Sequence, residues 1–185
     1  MKVAITGHST GIGNALFTLI NHKTNQEHQA IGFSRLNGFD LLDPKMQSRM
    51  FGEISQKGCS VFINNAYNGA MQIDLFKMAM NAWAHVPNRT IVNVISRAVY
   101  TGSPENPSYA TWKRELQCIS HQALYHGNPQ CKIINIYPGL TDTNRVKNSS
   151  GIKLEADQVA ELIWNAVISP VHIHELVFGA NIINS

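Results

Sequence analysis

Apolar residues in this chain gather into short β-prone runs separated by longer stretches with helical spacing. Residues 2–6 (KVAIT) make the first run, which stops at a glycine cluster, and residues 13–20 (GNALFTLI) continue with helical spacing. Apolar runs at 30–34, 60–64, 90–95 and 132–137 predict four more strands, and a last short one falls at 175–178. Between them, residues 44–55, 72–85, 108–126 and 154–168 are compatible with helices. Asp43-Pro44 supplies a helix-start signal, and Glu155-Ala156-Asp157 puts negative charge at another N-terminus. Strands that are apolar almost throughout, alternating with helices, predict a parallel sheet covered on both faces. The expected fold class is α/β, in a single domain over residues 1–185 without internal repeat or linker. The loop-like segment 141–151, with its Asn, Ser and Gly content, reads as a mobile lid before the last helix.

Composition narrows the function. With 44% hydrophobic residues, 13 Gly and 7 Pro, collagen-like and disordered readings are out. The net charge is +3 and Lys and Arg form no block, so no nucleic-acid partner is expected. Cys59, Cys118 and Cys131 make no C-x-x-C pair, which argues against a disulfide framework or a zinc site and for a reducing compartment. The start MKVAITG enters a strand at once, and no run of about 18 apolar residues follows, so a cytoplasmic protein without a membrane partner is expected. Polarity comes from 18 asparagines more than from charge, since charged residues are only 15%.

Thr6-Gly7-His8-Ser9-Thr10-Gly11-Ile12-Gly13 sets three glycines between a strand and a helix. That arrangement permits a tight turn, close backbone approach to a pyrophosphate, and helix N–H groups aimed at its charge. With this T-G-x-x-x-G-I-G run, the chain resembles the short-chain dehydrogenase/reductase family. The resemblance extends in order through Asn64-Asn65-Ala66, with Tyr67 where the family has glycine, then Ser96, the Y-x-x-x-K of Tyr109 and Lys113, and Pro138-Gly139-Leu140-Thr141-Asp142-Thr143. It implies a Rossmann-type doubly wound sheet of six or seven strands, one of them ending at Asp40-Leu41, and a homodimer or homotetramer. The chain is several dozen residues shorter than common members, the missing length falling around 72–85, in 141–151 and after 175–178.

The resemblance implies a dinucleotide held by Gly7, Ser9, Thr10, Gly11, Ile12, Gly13, Asn65, Ala66, Pro138, Gly139, Thr141 and Thr143, with Tyr109 and Lys113 at its nicotinamide end and Asp40 at the adenine. The residue closing the second strand of such a fold reads the adenosine ribose, and an acid there selects against a 2′-phosphate. Ser34-Arg35 stand there instead, and a guanidinium pairs well with phosphate, so NADP is preferred over NAD. The alternatives are a solvated Arg35 in a pocket that takes either cofactor, and an ordinary turn aspartate at Asp40.

Tyr109 and Lys113 are four apart in a helical stretch, so both project from one face. A phenol titrates near 10 and exchanges protons poorly at neutral pH; a nearby ammonium stabilises the phenolate and corrects this. The resemblance makes Tyr109 the general acid/base, Lys113 also a partner of the nicotinamide ribose, and Ser96 the group that orients a substrate carbonyl. It also implies an amide that organises a proton relay, for which Asn68 and Gln72 are the candidates. Tyr67 in place of the family's glycine is expected to put a bulky ring where the backbone normally runs close to the cofactor, with pointing away or stacking on the adenine side as the alternatives. His8 reads as a loop residue, exposed or near a phosphate; His172 and His174 as two imidazoles on one strand face, without a metal; Trp83 and Trp164 as core or subunit packing.

Two function classes remain. One is an NADP(H)-dependent oxidoreductase, a carbonyl reductase or alcohol dehydrogenase acting on a small carbonyl or alcohol. The other is an NADP(H)-binding sensor or regulatory protein of the same fold with little catalysis.

Overall fold

The computed structural model describes residues 1–22, 27–143, 146 and 150–180. Strand and helix alternate: β1 (Lys2–Thr6), α1 (Gly11–His22), β2 (Gln29–Phe33), α2 (Pro44–Gln56), β3 (Val61–Asn64), α3 (Met71–Trp83), β4 (Thr90–Val94), the single turn α4 (Ala98–Thr101), α5 (Pro107–His126), β5 (Lys132–Pro138), α6 (Ala156–Ile168) and β6 (Glu175–Phe178). The strands form one parallel sheet in the order β2-β1-β3-β4-β5-β6. This is the doubly wound α/β sheet expected. Its order reverses at β1, and a crevice outside the strand C-termini at such a point is where these folds take ligands.

Successive residues of each strand face opposite ways, so both faces are buried. Val3, Ile5, Ile63, Val92 and Ile134 pack with Leu16 of α1 and Ile163 of α6 on one side. Ala4, Phe62, Ile91 and Ile133 pack with Met50 of α2, Leu75 of α3 and Leu116 of α5 on the other. Trp83 and Trp164 are both buried in these cores. No helix among the described residues is long and apolar enough to cross a membrane.

Asp40-Leu41 is not a strand, and among the described residues the sheet has six. After β2 the chain makes one 3-10 turn, Arg35–Asn37, closed by Gly38. Asp40 Oδ1 accepts from Leu42 N at 3.2 Å, and Asp43 N donates to Asp40 O at 3.0 Å. Asp43 Oδ1 then caps α2 through Lys45 N at 2.8 Å, with Pro44 at its first position. Local turn bonds thus consume backbone groups that a strand would offer a neighbour, while Phe39 and Leu41 still bury their side chains. Leu154 also departs from expectation: it lies outside α6 and pairs with Thr141 in an isolated bridge. That bridge joins the first residue of the segment expected as a lid (141–151) to a residue just beyond it; 144–145 and 147–149 are outside the described residues.

A polar row crosses the middle strands on the α3/α5 face. Asn64, Asn93 and Asn135 stand in register and are wholly buried. Asn64 Nδ2 donates to Asn93 Oδ1 at 3.1 Å, and Asn93 Nδ2 to Asn135 Oδ1 and Ser120 Oγ, both at 3.2 Å. Ser120 Oγ in turn donates to Asn135 Oδ1 at 2.7 Å. The next position in register is Glu175, whose Oε1 accepts from Tyr137 OH and lies against His121 Nε2, each at 2.5 Å. Burial first, then the bond and charge of Glu175, push the Tyr137 phenol far above its ordinary value.

Asn93→Leu removes the middle of the row and is expected to cost about 2–3 kcal/mol, read as a lower urea midpoint at unchanged slope. The Tyr137 shift gives a pH prediction. An acid whose folded pKa exceeds its unfolded value near 10 contributes stability that is complete below about pH 10 and is lost as pH rises beyond it. Urea midpoints should therefore fall above about pH 10, and fall less steeply in Tyr137→Phe.

Candidate functional site

The C-terminal ends of the strands open on a cavity of about 1220 Å³. Of the residues expected at the cofactor or catalytic positions, all line it except Gly13. The glycine turn forms one end. Gly7 and Gly11 take φ of 69° and 53°, the left-handed region that disfavours other residues, which lets the turn fold under the start of α1. Gly13 lies behind the turn, where a Cβ would overlap the Gly7 carbonyl, so it permits close helix-to-strand approach rather than a cavity contact. Thr6 and Asn65 lock this floor: Asn65 Nδ2 donates to Thr6 O at 2.9 Å, while Asn65 N and Ala66 N donate to Thr6 Oγ1 at 2.9 and 3.0 Å.

Ser34 and Arg35 follow β2 at the same end. Ser34 is buried and lines the cavity, and among the described residues its Oγ has no hydrogen-bond partner. Such an orphan is costly unless a ligand satisfies it. Arg35 is exposed. Asp40 also lines the cavity, as the turn aspartate described above rather than at a strand end. The glycine cradle, the helix N-terminus and the orphaned hydroxyl beside a guanidinium together fit a phosphate-bearing dinucleotide. At the opposite wall, Thr141 Oγ1 donates to Gly139 O at 3.0 Å, and Thr143 approaches Gly11 closely enough that a Cβ there would sit 2.9 Å from Thr143 Cγ2.

The other end is built on α5, whose start is fixed by Asn106 Oδ1 accepting from Tyr109 N at 3.0 Å. Tyr109 is half-buried, and Lys113, one turn on, is only 3% exposed. Lys113 Nζ donates to Gln72 Oε1 and Val94 O, both at 2.7 Å. Gln72, 1% exposed, donates through Nε2 to Asn64 O at 2.6 Å and Val94 O at 3.0 Å. One side chain thus ties the ends of β3 and β4 to the ammonium of α5. Removing an ammonium from water costs several kcal/mol, and short bonds to two carbonyl oxygens offset that cost. Of the two amides considered for a relay, Gln72 contacts Lys113 directly, while Asn68 is exposed on the cavity wall.

Tyr67 lines the cavity beside Tyr109. Its ring packs edge-on to Tyr109 at 4.8 Å and 78°, and Lys113 Nζ lies 5.1 Å from the Tyr67 centroid and 5.6 Å from that of Tyr109. Two phenol rings therefore share one ammonium. Ser96 Oγ accepts from Ala98 N at 3.1 Å, which occupies one lone pair and leaves the O–H to donate.

The weaker candidates resolve differently. His8 is neither exposed nor at the phosphate end of the cavity. Its ring packs against Phe17 at 5.1 Å and over Gly32, where a Cβ would displace it, and burial pushes its pKa down. His172 and His174 precede β6 rather than sharing a strand face. Their rings meet at 4.4 Å, and His172 Nε2 is 3.1 Å from Ile133 O. Among the described residues no group of three His, Cys, Asp or Glu could hold a metal ion.

The sequence matches no protein-family model and no curated protein. Solved structures do share the fold. The 3-alpha-hydroxysteroid dehydrogenase of a Pseudomonas species, complexed with NADH, is 18% identical at a TM-score of 0.74, with 97% of this chain and 95% of that one covered. A short-chain dehydrogenase/reductase (glucose/ribitol dehydrogenase) of Brucella melitensis gives 15% identity and a TM-score of 0.77 over 96% and 94%. A short-chain dehydrogenase of Burkholderia cenocepacia in complex with NADP gives 16% and 0.72 over 96% and 95%. At these identities the likeness establishes the fold.

Gln72→Leu strips the buried ammonium of one acceptor and is expected to cost about 3–5 kcal/mol. Lys113→Met in that background should recover part of the loss, so a double-mutant cycle in urea reads a coupling well above 0.5 kcal/mol. Additive effects would mean that the contact carries no stability.

Proposed function

We propose that this protein is an NADP(H)-dependent oxidoreductase that interconverts a small carbonyl compound and its alcohol. The observation that supports this best is that one cavity has a phosphate-fitting glycine turn and Arg35 at one end and Ser96, Tyr109 and Lys113 at the other. Structural neighbours also include a dehydrogenase complexed with NADH and a short-chain dehydrogenase in complex with NADP.

On this reading the glycine turn and the α1 N-terminus hold the pyrophosphate, and Ser34 and Arg35 hold the ribose 2′-phosphate. When bound, the nicotinamide supplies a hydride at C4 for reduction or accepts one in oxidation. The rest is done by side chains of this chain. Ser96 Oγ–H donates to the substrate oxygen and stabilises charge as it develops there. The Tyr109 phenol gives its proton to that oxygen in reduction and takes it back in oxidation. The Lys113 ammonium, held by Gln72 and Val94, favours the phenolate that remains. The Tyr67 ring packs edge-on against Tyr109.

Tyr109→Phe is expected to lower turnover about 10²–10⁴-fold while NADPH binding, followed by its fluorescence, is kept. Arg35→Ala should weaken NADPH about tenfold or more and leave NADH nearly unchanged. NADPH binding with no turnover across aldehydes, ketones and hydroxy compounds would favour the sensor instead.

A further inference from the structure

The Ser96 end of the cavity carries a second cation that the proposed chemistry does not use. Arg97 follows Ser96 directly and lines the cavity with it. Its main chain is pinned between β5 and α4: Arg97 N donates to Pro138 O at 3.0 Å, and Arg97 O accepts from Tyr100 N at 2.9 Å. The side chain runs over two glycines. Arg97 Cδ would lie 3.7 Å from a Cβ at either Gly139 or Gly179, and a Cβ at Gly179 would overlap Nη1. The bare backbone at Gly179 thus makes room for the guanidinium.

Most other described arginines have work: Arg49 pairs with Glu53, Arg89 lies over Trp83, Arg114 donates to Val99 O. Arg97 is exposed, and among the described residues no ion pair joins it to Asp40 or Glu105, the acidic residues lining the cavity. Lys113, the other cation among the described residues at this end, is committed to Gln72 and Val94.

Resting on the function proposed above, we propose that the substrate carries a carboxylate that pairs with Arg97, so that it is a small hydroxy acid or oxo acid. A guanidinium offers two parallel N–H donors that match the two oxygens of a carboxylate. A phosphate group is less well served, because among the described residues no second uncommitted cation lines this end and α4 is a single turn of four residues. The carboxylate takes no part in the bond changes. Its pairing positions the carbon to be reduced or oxidised near Ser96 and Tyr109, and selects acids over neutral ketones.

The test uses lactate and 3-hydroxybutyrate, and a C3–C6 panel of their 2- and 3-hydroxy analogues, each against its methyl ester. Calorimetry with NADPH-saturated protein measures their binding without turnover, because a hydroxy acid has nothing to reduce. At least one acid should bind tenfold or more tightly than its ester, an advantage lost in Arg97→Gln and partly restored in Arg97→Lys. In steady state with the matching oxo acid, Arg97→Gln should raise KM about 10- to 100-fold with kcat changed little. Unchanged melting temperatures keep folding out of the comparison. Acids that bind no better than esters, or an Arg97→Gln variant with the same preference, overturn the proposal. If such a protein still binds NADPH and reduces neutral ketones, only the carboxylate assignment falls; failure to bind NADPH instead removes the function it rests on.

Discussion

An ammonium group held almost entirely away from water is the constraint around which this structure is arranged. Gln72 and the carbonyl of Val94 meet Lys113 there at 2.7 Å, and Gln72 is itself held by the ends of β3 and β4. The position of α5 against the sheet follows from that clamp, and with it the position of Tyr109 one turn earlier.

Much of this was legible in the chain. The strands are apolar almost throughout because both faces are covered, and that run pattern, with the short run at 175–178, marks all six. Asp43-Pro44 announced α2 through a cap that does form. The four-residue spacing of Tyr109 and Lys113 was enough to put them on one face. The strand assigned at Asp40-Leu41 came from a family register and not from local chemistry, and the local chemistry there is that of a turn. Leu36 and Leu42, both exposed, flank the segment where a seventh strand was expected.

What could not be read is what tertiary packing brings together. Gln72 precedes Lys113 by 41 residues, and nothing in either stretch announces their contact. Tyr67 meets Tyr109 for the same reason: a loop after β3 and a helix after β4 converge at the strand ends. The asparagine row did leave a signal. VFIN, TIVNV and KIINI each break an apolar run with an asparagine near the C-terminal end, at positions that prove to be in register. Comparing the strands with one another, instead of reading each alone, would have found it.

That row has a consequence for the chemistry above it. An amide neither gains nor loses a proton over the ordinary pH range, so Asn64, Asn93 and Asn135 make a floor of dipoles with no net charge to switch. Moving along the row toward the edge strand, the first charge-bearing group met is Glu175. The amide row therefore adds no titration of its own beneath Lys113. A pH dependence carried to the cavity through the sheet has to start beyond the row, at Tyr137 and Glu175.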